Sequence, residues 1–93
     1  MARISLDNTF AVSKDALFRD LDGEAVILDL GSGTYFGLNA VGARIWQLME
    51  QHGGLRAVFE DLCREYEAPP DVLERDLIAL VSRLEEARLG EVT

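Results

Sequence analysis

The sequence predicts an α+β fold, a winged-helix-like arrangement in which a three-stranded antiparallel β-meander is followed by three α-helices. Three observations lead there. Residues 17–38 hold short β-branched, leucine-rich and aromatic runs separated by Asp22-Gly23 and Gly31-Ser32-Gly33. Residues 40–89 change to apolar spacings of three and four, the mark of amphipathic helix. Gly53-Gly54 and Pro69-Pro70 then cut this second half into three segments.

Residues 1–14 alternate loosely, with Ile4, Leu6, Phe10 and Val12 among polar neighbours, and read as an irregular arm or a short strand against the core. Leu17–Leu21 is a clearer strand, and Asp22-Gly23 is a hairpin turn into Glu24–Leu30. Gly31-Ser32-Gly33 tolerates positive φ and turns the chain into the third strand, Thr34–Leu38. Tyr35 and Phe36 are strand neighbours and so point to opposite faces. Phe36 shares its face with Leu38, which places that pair on the helices and leaves Tyr35 for the other face, where it is either an ordinary exposed tyrosine or a contact residue. Gly37 either lets another backbone come close or marks a bend before the helix.

Asn39 caps a first helix from Ala40 to about Gln51, whose Val41, Ile45, Leu48 and Met49 share one face. Gly42 within it costs about 1 kcal/mol relative to alanine, which points to a close approach by another backbone. His52-Gly53-Gly54 ends this helix. A second, Leu55–Tyr66, places Val58, Phe59, Leu62, Cys63 and Tyr66 on a single stripe. After Pro69-Pro70, Asp71 and Glu74 resemble a capping box, with the Asp71 carboxylate accepting the Glu74 amide. The third helix then runs to about Leu89 with Leu73, Leu77, Leu80 and Leu84 as its core stripe, Ile78 and Val81 beside it, and Gly90 as its stop.

Ninety-three residues with 48% hydrophobic content supply one modest core, so the expected organisation is a single domain over residues 1–93. A chain of this size has little room for an enclosed active site, and a surface groove for a partner is the better expectation. The net charge of -8, from 17 acidic and 9 basic residues, disfavours nucleic acid and anionic lipid. Neither end carries a signal-like segment, no apolar run approaches the ~20 residues of a membrane span, and the single cysteine excludes an intramolecular disulfide; these features lead us to expect a cytoplasmic protein.

Catalysis ranks last. His52, the only histidine, sits at a helix end where its ordinary role is to offset the helix dipole. Cys63 falls on an apolar stripe and reads as a small hydrophobe. Glu60-Asp61 and Glu85-Glu86 are adjacent pairs that diverge around a helix. No phosphate-binding loop or zinc-ligand spacing is present, and no cofactor is expected. A DNA-binding winged helix is opposed by ten acidic residues against five arginines from Leu55 onward. The third strand, however, has one neighbour assigned from sequence, and its free edge invites β-augmentation by an extended peptide. The third helix then forms the other wall, with Ile78 and Val81 as apolar floor and Arg75, Asp76 and Ser82 as rim. A structural subunit that pairs with itself or another protein through the same edge is the competing reading.

The run Gly33, Tyr35, Phe36, Leu38, Asn39, Gly42, Ile45 and Trp46 resembles the motif joining the last strand to the first helix in PqqD-like proteins, the peptide-binding modules called RiPP recognition elements. The resemblance continues through Gly53-Gly54, a second helix ending in Tyr66, a proline turn and a third helix ending in Leu89-Gly90, covering roughly residues 15 to 90; it departs from the usual pattern at Gly54-Leu55, where a Ser or Thr cap belongs. It implies a non-catalytic protein that binds the leader of a ribosomally made precursor peptide between the third strand and third helix and presents it to maturation enzymes. Carried over, the leader contacts come from Thr34, Tyr35, Phe36, Gly37 and Leu38 and from Arg75, Asp76, Ile78, Ala79, Val81 and Ser82. The partners implied are a leader peptidase and cyclase of lasso-peptide synthesis or a radical-SAM enzyme of pyrroloquinoline quinone synthesis. The opening Gly23–Leu28 and Tyr35–Asn39 are more similar to the stand-alone lasso type.

Overall fold

Local side-chain hydrogen bonds and left-handed backbone positions shape the turns of the meander. The computed structural model describes residues 4–22 and 24–93, so Gly23 of the first expected turn lies outside the described residues, while its neighbour Asp22 takes a left-handed φ of 53°. We number the strands and helices in chain order: β1 Phe10–Val12, β2 Ala16–Leu21, β3 Glu24–Asp29, β4 Thr34–Leu38, α1 Ala40–His52, α2 Leu55–Glu65, α3 Pro70–Glu86 and β5 Gly90–Val92. At the β3–β4 turn Asp29 accepts the Gly31 amide at 3.0 Å and the Ser32 hydroxyl at 2.8 Å, and Gly33 takes the positive φ of 76° that an L side chain disfavours.

Strands β2, β3 and β4 form a three-stranded antiparallel sheet in that order, with Ile27 opposite Phe36 and Leu28 opposite Tyr35. Its inner face puts Ala25 and Ile27 fully into the core, with Phe18, Phe36 and Leu38 packed against it. Helix α1 lies against this face, and α2 and α3 pack on α1 and on each other to complete the core through Ile45, Leu48, Val58, Leu62, Leu77 and Leu84, all buried. Trp46 has no exposed surface and takes the Phe10 ring edge-on, centroids 6.4 Å apart.

Asn39 caps α1 as its residue type predicts, its side chain accepting the Gly42 amide at 2.8 Å. Gly42 is buried for a different reason from the one expected. An added Cβ there would meet the Asn39 Oδ1 at 3.2 Å and the Leu38 Cδ2 at 3.3 Å, so it is side chains, not another backbone, that occupy the space. Gly53 ends α1 with φ 77° and donates its N–H to Met49 O. Gly54 has no side chain to cap α2, and the chain's first segment substitutes: Leu55 N donates to Asn8 O at 3.0 Å.

The capping box read at Asp71 is not formed. Pro69 is the N-cap of α3 and Pro70 its first residue, where a ring that fixes φ and lacks an N–H fits without loss, and no side-chain cap bond is made. The other end is also shorter than the spacing predicts, stopping at Glu86 instead of Leu89. Leu89 N donates to Leu84 O and Arg88 N to Glu85 O, both at 3.0 Å, a Schellman arrangement with Arg88 in the left-handed position at φ 62°. An L residue there costs about 1 kcal/mol, so Arg88→Gly is expected to raise the urea midpoint by up to roughly that amount of stability; a lowered midpoint would show that the arginine side chain contributes more than its backbone strain costs.

Residues 1–14 were open to two readings, and for the described part the strand prevails. β1 pairs antiparallel with β5 in a second, two-stranded sheet, Phe10 opposite Val92 and Val12 opposite Gly90. Gly90 therefore opens a strand and does not stop a helix. Phe10 is 1% exposed, and its ring fills the space in front of Gly90.

Candidate functional site

The edge of β4 that faces away from β3 looks across a groove of about 480 Å³ toward α3. Its near wall is Phe36, Gly37 and Leu38; its end is Asn39, Val41, Gly42 and Ile45 from the start of α1; its far wall is Asp76, Ala79, Leu80 and Arg83. The volume is in the range of a small-ligand or side-chain pocket, and its mouth runs along the strand. The Asn39 cap sets the shape here, because fixing the first turn of α1 directly after β4 puts Val41 and Ile45 at the groove's base.

The groove is apolar in the middle and charged at two points on α3. Leu80 and Ile45 are buried, Leu38 and Val41 are half-buried, and Ala79 is exposed. The Arg83 guanidinium lies over the Phe36 ring, 5.1 Å from its centroid, a placement worth about 0.5–1 kcal/mol at an exposed site.

The sequence-derived residues divide. Phe36, Gly37, Leu38, Asp76 and Ala79 meet in the groove. Arg75 and Ile78 line a separate depression with Asp71 and Glu74, which Ala79 also borders. Val81 is fully buried, because on a helix it lies between the core positions Leu77 and Leu84, and it supplies no floor to the groove. Ser82 borders neither hollow. Tyr35 is 74% exposed and lies opposite Leu28 on the outer sheet face, and the Thr34 hydroxyl is engaged with Ser32 in the turn at 2.7 Å. Arg83 and Leu80 were missed as groove residues. Spacing alone could have found Arg83, which is four positions from Ala79 and seven from Asp76 and so on their face of the helix.

Several titratable groups outside the groove form surface pairs. His52 Nε2 is 2.7 Å from Asp61, and that hydrogen bond, with Arg64 alongside, holds the Asp61 carboxyl below its usual range. Arg44 grips Glu65 with two bonds of 2.7 and 2.8 Å, which lowers the Glu65 carboxyl and ties α1 to α2. Among the described residues no cluster of three His, Cys, Asp or Glu side chains is placed to hold a metal ion. Among the described residues no helix is long and apolar enough to cross a membrane.

The family model described as coenzyme PQQ synthesis protein D (PqqD) matches residues 24–89. Two solved structures share the fold over most of both chains. One is TbiB1 in complex with the TbiA(beta) leader peptide, 37% identical, covering 87% of this chain and 94% of that one at a TM-score of 0.79. The other is lasso peptide synthetase B1 complexed with the leader peptide, 31% identical, covering 89% and 98% at the same TM-score of 0.79. No curated protein gives a match.

Proposed function

The chain belongs to the PqqD family, and we propose that it is a lasso-type RiPP recognition element that captures the leader of a precursor peptide along β4 and presents it to maturation enzymes. The observation that carries this reading is the edge of β4, unpaired among the described residues, facing α3 across a groove of mixed apolar and polar lining, in a chain similar over nearly its whole length to two proteins solved with leader peptides. An extended leader adds a fourth strand to the sheet. Its backbone bonds to β4 supply affinity that is nearly indifferent to sequence, and the side chains it turns toward α3 supply selection.

The protein itself turns nothing over. Holding the leader raises the local concentration of the attached core peptide around a peptidase or cyclase, which replaces a bimolecular encounter with a tethered one. We assign the leader contacts to Phe36, Gly37 and Leu38 on the strand and Asp76, Ala79 and Leu80 on the helix. Their convergence supports this, whereas Tyr35 faces the other side of the sheet and touches the leader only at its margin.

An amide-resolved NMR titration with the leader half of the precursor encoded beside its gene tests the proposal. Shifts confined to Phe36–Leu38 and Asp76–Arg83 are expected. A spectrum unchanged at saturating leader overturns it in favour of self-association through the same edge, which would instead broaden the lines as protein concentration rises.

A further inference from the structure

We propose that the groove reads the order of charge along the leader: Asp76 and Arg83 select an extended segment bearing a basic, an apolar and an acidic side chain in that order from its N-terminus. This rests on leader capture at β4 as proposed above and adds the chemical class of the segment.

Asp76 and Arg83 are seven positions apart on α3, two turns on one face, which separates them by about 10 Å along the axis. Both are exposed and both line the groove. Among the described residues neither has an ion-pair partner, although four other pairs on the surface are satisfied. Two unpaired opposite charges at the rim of the groove are complementary to a ligand that carries the opposite pair. Between them the wall is Ala79 and Leu80, with Leu38, Val41 and Ile45 across and below, an environment for one apolar side chain.

The direction follows from Arg83. Its guanidinium is held over Phe36, so the cationic end of the groove lies at Phe36. Asp76, two turns N-terminal to Arg83 on the same face of α3, marks the opposite end of the groove, which we take to be the end where β4 leads through Leu38 and Asn39 into α1. The sheet is antiparallel throughout, and a peptide continuing that pattern runs from the Asn39 end toward Phe36. It meets Asp76 first and Arg83 last. Side chains of a strand that face one way are two residues apart, so basic, apolar and acidic residues at positions i, i+2 and i+4 span about 13 Å, and long Lys and Glu side chains lean inward to charges about 10 Å apart. Planar donors on Arg83 remain available to a carboxylate while its face rests on the Phe36 ring.

Three fluorescein-labelled synthetic twelve-residue peptides of the same Thr and Gly background provide the test. They carry Lys-Thr-Leu-Thr-Glu, the reversed Glu-Thr-Leu-Thr-Lys, or the neutral Gln-Thr-Leu-Thr-Gln, and affinities are read by fluorescence anisotropy against the wild type and Asp76→Lys/Arg83→Glu, with the precursor leader measured in parallel. The expected result is that the wild type binds the Lys-first peptide about tenfold more tightly than the Glu-first one. The double variant, if folded by circular dichroism, inverts that order, and Asp76→Asn alone reduces the discrimination without loss of fold, leaving the part that Arg83 supplies. Raising salt should shrink the preference, since the charges are exposed. If the leader binds and the three peptides bind equally, or the Glu-first peptide wins, charge reading is overturned while leader capture stands. If neither the leader nor any peptide binds, both readings fall.

Discussion

Gly90→Val is expected to lower stability by about 3 kcal/mol, a large fraction of what a domain of this size possesses. A Cβ at this position would lie 2.1 Å from Phe10 Cζ, 2.4 Å from Phe10 Cε2 and 2.7 Å from the Ala11 carbonyl oxygen. None of these can retreat easily. Phe10 is 1% exposed and set edge-on against the fully buried Trp46, and Ala11 belongs to the strand that pairs with β5. Urea unfolding followed by Trp46 fluorescence measures the loss. In a Phe10→Ala background the additional cost of Gly90→Val should shrink but not vanish, because the ring is gone while the Ala11 carbonyl oxygen remains; equal costs in both backgrounds would place the conflict on that backbone oxygen.

The second large effect concerns binding and leaves the fold intact. Ala79→Trp is expected to weaken the leader by about 100-fold, or roughly 2.7 kcal/mol, while thermal stability changes little. Ala79 is exposed on α3 and lies between Asp76 and Leu80 in the groove wall, so a larger side chain that extends into the groove fills space a peptide would need. The contrast is Tyr35→Ala, on the outer face of the same strand, for which less than about a threefold change in affinity is expected, as for a rim contact. Isothermal titration of the leader against the two variants compares them directly; similar losses from both would place the leader across the outer face instead of in the groove.

Local rules made most of the architecture legible. Period-two runs, the Gly31–Gly33 turn and the Asn39 cap each act over a few residues, and the meander and first helix form where those rules put them. The failures come from contacts far apart in sequence or from rules in competition. β1 and β5 are three residues each and stabilise each other across nearly the whole chain, so neither carries a signal alone. Gly90 was assigned to a helix end because a glycine's local meaning is a stop, whereas its actual constraint is the Phe10 ring. At Pro69-Pro70 a proline N-terminus displaced the capping box that Asp71 and Glu74 suggested. In the groove, strand residues were readable from alternation, but α3 required its rotation to be known. Val81 falls toward the core, and Arg83, which in sequence reads as an ordinary solvated arginine, is laid over Phe36 only by the fold.

The ribbon of β1 and β5 makes the polypeptide almost a ring. Thr9 N donates to Thr93 O at 3.0 Å and Thr93 N to Thr9 O at 2.9 Å, with Asn8 Nδ2 adding a third bond of 3.0 Å to the same Thr93 carbonyl. Closing a loop of this length costs on the order of 4 kcal/mol of chain entropy, and the ribbon, once zipped, supports the start of α2 through Asn8 O. The backbone at Thr9 and the backbone at Thr93 therefore occupy one spot on the surface. An enzyme joined after Thr93 starts beside the Thr9 backbone, and linker length sets how far the captured peptide can reach.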